Sequence, residues 1–128
     1  MRFLHLDTNA LIYLLDPDGP VFAKTRARCQ QGVLPATSAV AWHEFVRGPL
    51  KTDELLLVER VVGGRIHPLD RSIAETAARL FNATGRRRAS TADCLIAAAA
   101  IEREAELVTA NLEDFTPFVP MGLNLARD

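Results

Sequence analysis

An α/β sandwich around a mostly parallel sheet is the fold class this sequence predicts, and three observations carry the prediction. Short apolar runs of strand length alternate with longer stretches whose apolar residues recur at helical spacing. Turn chemistry separates them, as in Asp16-Pro17-Asp18-Gly19-Pro20, Gly48-Pro49 and Gly63-Gly64. The chain of 128 residues is 48% hydrophobic, enough for one well-buried core, so residues 1–128 read as a single domain.

Taken in order, Phe3 to Leu6 is a short buried strand and Thr8 to Leu15 a helix, stopped by the Asp-Pro and Asp-Gly steps. A second helix runs from about Val21 to Gln31. "VLPATS" is a brief strand ending at Ser38, an N-cap candidate for the helix that carries "AVAWHEFVRG". "TDELLLVERVV" forms a strongly apolar helix ended by the glycine pair. "RIHPLD" is another short strand leading into a helix from about Arg71 to Ala83, where Ser72 and Glu75 suit a capping box. "STADCLIAAAAIEREAEL" places Ala92, Leu95, Ile96 and Ala99 at helical spacing, "LVTAN" is the next strand, and "FTPFVPMGLNL" has room for one more.

The remaining features mostly exclude. A formal net charge of -1 denies the surface the overall positive field of a general nucleic-acid binder, so any polyanion must meet a local patch. Arg86, Arg87 and Arg88, after Gly85 in an expected loop, form one, although such a run is as often a solvated surface. Cys29 and Cys94 lack metal or disulfide spacing and read as reduced core thiols. His5 and Asp7 interrupt the first apolar stretch, which argues against a signal peptide, and no uncharged run is long enough to span a bilayer. The expected compartment is the cytoplasm, with no membrane partner.

In parallel α/β sheets the active crevice lies outside the carboxyl ends of the strands. Acids occur at such points: Asp7 directly after the first strand, Glu44 in the helix after the second, Asp93 in the first turn of the helix after the arginines, and Asp114 just past "LVTAN". Each has an ordinary reading alone. Asp7 can cap a helix, Glu44 can pair with Arg47, Ser90 to Asp93 resembles a capping box, and Asp114 can stabilise a turn with Asn111. Together at one rim they would repel, by about 4 kcal/mol per pair near 4 Å at an effective dielectric of 20. A divalent cation reverses that sign, and oxygen-only donors suit magnesium or manganese. Such an ion serves phosphodiester hydrolysis. His43 points about 100° away from Glu44 on a helix, and no GxSxG occurs, so a nucleophilic triad is not supported. An aspartate-dependent phosphatase wants an acid where Asn9 stands, and a receiver domain wants a late lysine where the chain has only Lys24 and Lys51.

"LDTNALIYLL", "WHEFVRG", "TADCLIAAAA" and "VTANLEDF" resemble the four motifs of PIN-domain ribonucleases, and length and motif spacing are most similar to the VapC toxins of type II toxin-antitoxin pairs. The resemblance implies a three-layer α/β/α fold, RNA cleavage with Mg2+ or Mn2+, and a cognate antitoxin. It places metal-binding carboxylates at Asp7 and Asp93, with Glu44 and Asp114 completing the pocket. Thr8, Asn9, Ser38, Thr91 and Asn111 would orient them. Asn111 departs from relatives that carry another acid there. Arg86, Arg87 and Arg88 would hold flanking phosphates, and an antitoxin could inhibit by inserting a guanidinium into the acidic pocket. Leu55, Leu56, Leu57, Val58, Val61 and Val62 exceed what one buried helix face requires, and the surplus suits a partner groove or a homodimer contact. The alternative to a nuclease is an inactive relative that only binds RNA or protein.

Overall fold

The computed structural model describes residues 1–127. Strand β1 (Phe3–Leu6) leads into α1 (Thr8–Tyr13), then α2 (Pro20–Gln30), β2 (Leu34–Ser38), α3 (Ala39–Val46), α4 (Thr52–Val62), β3 (Ile66–His67), α5 (Arg71–Ala83), α6 (Thr91–Glu102), β4 (Glu106–Val108), α7 (Leu112–Phe115) and β5 (Asn124–Leu125). Two 3₁₀ turns, Arg88–Ser90 and Thr116–Met121, lead into α6 and out of α7. The expected strand in the last segment is therefore present, as a short edge. The strands form one sheet in the order β3-β2-β1-β4-β5, and every pairing is parallel. This is the expected α/β/α architecture around a parallel sheet.

Strand order decides where a site can be. The chain winds from β1 through β2 to β3 on one side, then crosses back by way of α6 to β4 and β5 on the other, so the winding reverses between β1 and β4. A crevice opens at such a reversal because the connections leave the carboxyl ends in opposite directions. Register sharpens the point. Leu6 pairs with Thr37 on one side and with Val108 on the other, so Asp7 and Thr109 are the first residues past β1 and β4, level with Ser38, the last residue of β2.

Burial explains the strands' sequences. Leu4 and Leu6 of β1 are fully buried, and Phe45, Val58, Leu80, Leu107, Phe115 and Phe118 pack in the same core. Ala97 to Ala100 bury α6 almost completely, and their small side chains let that helix approach both the sheet and α5. On α4 the surplus resolves into two sets. Val58 and Val62 are wholly buried, whereas Leu56 and Leu57 are 53% and 44% exposed. Val62 is thus a core residue and no part of a partner surface. Among the described residues no helix is long and apolar enough to cross a membrane.

Local stops differ in detail from expectation. Asp70, not Ser72, caps α5 through the Ile73 N–H (2.9 Å), because Ser72 turns its hydroxyl to Glu102 and Glu75 pairs with Arg71 at 3.6 Å. Gly63 takes the left-handed conformation (φ 56°) that ends α4, a position where a Cβ would also crowd the Arg65 guanidinium. Both cysteines are free; Cys94 is buried, but Cys29 is exposed and not a core thiol.

Candidate active site

Asp7 is where the strand ends and the helix begins, and it serves both elements. Its N–H donates to the Val108 carbonyl (3.2 Å), continuing the β1–β4 ladder, and its Oδ1 accepts from the Ala10 N–H (2.8 Å), capping α1. The capping reading is therefore correct, and it leaves the second carboxylate oxygen for other work. Only 3% of Asp7 is exposed. Burial raises its pKa above the ordinary carboxylate range, and the charges of Glu44 and Asp114 add to the rise. Hydrogen bonds from the Thr109 side chain and the Ala10 N–H oppose it.

Thr109 is a partner of Asp7 that motif reading passed over. It is buried one position past β4, and its Oγ1 accepts from the Asn111 N–H (2.9 Å), which turns its own hydrogen toward Asp7. A lone threonine after a strand carries no such signal in sequence. Its place beside Asp7 follows from β1 and β4 being neighbours.

Glu44 arrives from α3, which Ser38 starts by accepting the Ala41 N–H (3.1 Å). Thr8 donates its hydroxyl to Glu44 Oε1 (2.8 Å), tying α1 to α3, while Arg47 stands 3.7 Å from the other oxygen. The expected pairing of Glu44 with Arg47 is therefore present, beside the hydrogen bond from Thr8. Asp93 lies in the first turn of α6, half buried, with its pKa raised to about 6 by desolvation first and then by the charges of Asp114, Asp7 and Glu44; Arg87 pulls the other way. Ser90 does not cap that helix, since its hydroxyl donates to the Arg87 carbonyl (2.7 Å).

A hollow of about 220 Å³ is lined by Asp7, Thr8, Asn9, Glu44, Asp93, Ile96, Asn111 and Phe115. Asp114 is exposed at its margin, near enough to act on both Asp7 and Asp93. The four acids anticipated from sequence are thus gathered in one field. Of the five supporting residues, Thr8, Asn9 and Asn111 line the hollow. Ser38 does not, and Thr91 donates its hydroxyl to the Arg88 carbonyl (2.8 Å) on the α5 side of α6. Arg87 is the arginine felt at Asp93, while Arg86 folds back over Phe81, and Arg88 is exposed. His43 is exposed and outside the hollow. Among the described residues no three Asp, Glu, His or Cys side chains stand as a ready cage for a metal ion.

A parallel α/β/α sheet with acids at its winding reversal defines a class of proteins whose chemistry lies at that edge. The chain belongs to the PIN domain family, whose model matches residues 4–116. Its fold is similar to that of a chain in the crystal structure of VapBC2 from Rickettsia felis bound to a promoter DNA fragment (18% identity, TM-score 0.71, 96% of each chain covered). It is also similar to VapBC-1 from nontypeable Haemophilus influenzae (20% identity, TM-score 0.72, 96% of each covered). A toxin-antitoxin complex from Klebsiella pneumoniae supplies a further likeness (23% identity, TM-score 0.61, 88% of this chain and 89% of that one). Among curated proteins none matches the chain.

Proposed function

We propose that the protein is a metal-dependent endoribonuclease acting as the toxin of a toxin-antitoxin pair. The observation that carries the reading is the acidic hollow: Asp7, Glu44 and Asp93 line it from three segments with Asp114 at its margin, and burial first, then the neighbouring charges, raises the pKa of Asp7 and Asp93. Carboxylates whose pKa is raised by burial beside other charges in one cleft are a mark of functional sites. The donor set is oxygen alone, which fits Mg2+ or Mn2+, and the ion when bound would supply an activated water and charge neutralisation at the phosphate.

The chain's own residues do the rest. Asp7 and Asp93 would hold the ion, with Glu44 in the same hollow and Asp114 at its margin. Thr109 and the α1 N-terminus fix the Asp7 carboxylate, and Thr8 fixes Glu44, so neither acid must reorganise when a substrate arrives. Arg87 sets a positive charge beside the hollow, where it would meet a phosphate flanking the scissile bond.

The toxin role draws on the likeness to VapBC structures, and the antitoxin on the same likeness together with a hollow that would attract a guanidinium. Exposed Leu56 and Leu57 would serve a partner or a second copy of the chain. Incubation of single-stranded RNA with the purified protein plus Mg2+ or Mn2+, against the same mixture with EDTA, tests the reading. Cleavage that EDTA abolishes is expected. RNA bound but uncut with either metal would instead establish the inactive binding module.

A further inference from the structure

We infer that the cleft between α5 and α6 is a subsite for one unpaired nucleobase of the substrate, next to the acidic hollow; this rests on the nuclease reading above. The cleft measures about 330 Å³, and its walls include Ala77, Ala78, Phe81, Asn82, Cys94 and Leu95. A nucleobase has two apolar faces and a polar edge, so proteins receive it with apolar walls, an aromatic or guanidinium plane and a hydrogen-bonding group at the rim. All three are present here.

Phe81 supplies the ring, and the Arg86 guanidinium carbon stands 5.6 Å from its centroid. Arg86 Nη1 also donates to Asn82 Oδ1, which leaves the amide NH₂ as the end of Asn82 able to donate to a base carbonyl. The backbone is bent to make this arrangement. Gly85 (φ 95°) and Arg86 (φ 56°) are consecutive left-handed residues, a conformation an arginine adopts only against a steric penalty, and it accompanies the return of the side chain over α5.

The position is suited to a strand cut at the hollow. Asp93 lines the hollow, while Cys94 and Leu95 on the same turn of α6 line the cleft, so one helix separates the two spaces. Arg87 stands by Asp93 and Arg86 by the cleft, an order that matches alternating phosphate and base. Charge distinguishes this cleft from the roomier one beside Thr109, where the Asp16 carboxylate would repel the backbone and the Lys24 amine donates to the Ala126 carbonyl (3.2 Å).

The test uses one single-stranded oligoribonucleotide that the full chain cuts at a single place, together with copies carrying one abasic ribose at each flanking position. An abasic ribose at one position adjoining the cut should lower kcat/KM by about ten- to a hundredfold, the range expected for losing a stacked base. Ala78→Leu, at an exposed residue of the cleft wall, should lower cutting of the intact oligonucleotide by the same factor and leave the abasic one unchanged. Asn82→Ala, also at an exposed residue, should alter which base is preferred there while the abasic substrate is cut as before. Equal cutting of every oligonucleotide, or Ala78→Leu matching the parent on intact RNA, would overturn the subsite and leave the nuclease reading standing. A parent protein that cuts no RNA with either metal would remove both.

Discussion

Two buried ionisable clusters form on and just past β1, and they answer the same physical problem differently. His5, 1% exposed, places Nε2 at 2.8 Å from Nδ1 of His67 on β3, with Phe3 packed edge-on against the His67 ring at 4.8 Å between centroids. Two residues later Asp7 is buried almost as deeply among acids. Burial drives every titratable group toward its neutral form. It pushes His5 down to about 3, aided by His67 and Arg103, and it pushes Asp93 up to about 6. At neutral pH the imidazoles are already uncharged and share one hydrogen bond, while His5 Nδ1 is left buried without a partner among the described residues. The carboxylates must hold charge against one another at the same pH. Without a cation the acidic cluster opposes folding, which is the cost the proposed metal site would offset.

The sharpest way to break the contrast is Asp7→Asn. Metal-dependent RNA cleavage should fall by at least about a hundredfold, because an amide is a poor ligand for a hard cation, while thermal unfolding stays close to the parent since the amide oxygen can still accept the Ala10 N–H. Cleavage at the parent's rate would remove Asp7 from the site. Next comes the imidazole pair. Between pH 6.5 and about 3 the unfolded chain takes up a proton that folded His5 refuses, so this contribution to stability is present above that window and is lost as the pH falls through it, by up to about 1.4 kcal/mol per unit. Denaturant titrations at pH 7, 6 and 5 should show a shallower decline for His5→Leu than for the parent. Equal slopes would mean that His5 is not held neutral.

Thr109→Val, nearly isosteric, removes the hydroxyl aimed at Asp7 and should weaken metal binding by about tenfold in calorimetry at pH 7, with Thr109→Ser restoring it. A valine variant that binds the metal like the parent would reduce Thr109 to a packing residue. The smallest effect is expected from the burial of Asp93 among the other acids. Asp93 has a raised pKa, so the folded chain holds a proton that the unfolded chain, titrating near 3.8, has lost; stability is therefore gained as pH falls from about 6 toward 3.8, the reverse of the histidine effect. Asp93→Asn should stabilise the metal-free protein by about 1 kcal/mol at pH 7, a figure discounted for solvent screening of a half-exposed group, and the advantage should fade by about pH 4. Destabilisation at pH 7 would show that the acids do not repel as the geometry requires.

Alternating apolar runs, turn dipeptides and caps were local signals, and they carried the α/β class, the strands, the helices and the four acids, since each depends on residues a few positions apart. Asp7 and Ser38 cap the helices that follow them, as chain-neighbour chemistry dictates. What the sequence could not determine was adjacency. That β1 lies between β2 and β4 brings Thr109 to Asp7 and His67 to His5, residues 102 and 62 positions apart, through packing choices that leave no local trace. Tertiary structure also split the apolar residues of α4 into a buried pair and an exposed one, and sent Thr91 and Arg86 toward α5 instead of the hollow. The types of group available are written along the chain, but whether a buried charge meets a hydroxyl, an imidazole or another charge is decided only when distant segments close around it and exclude water.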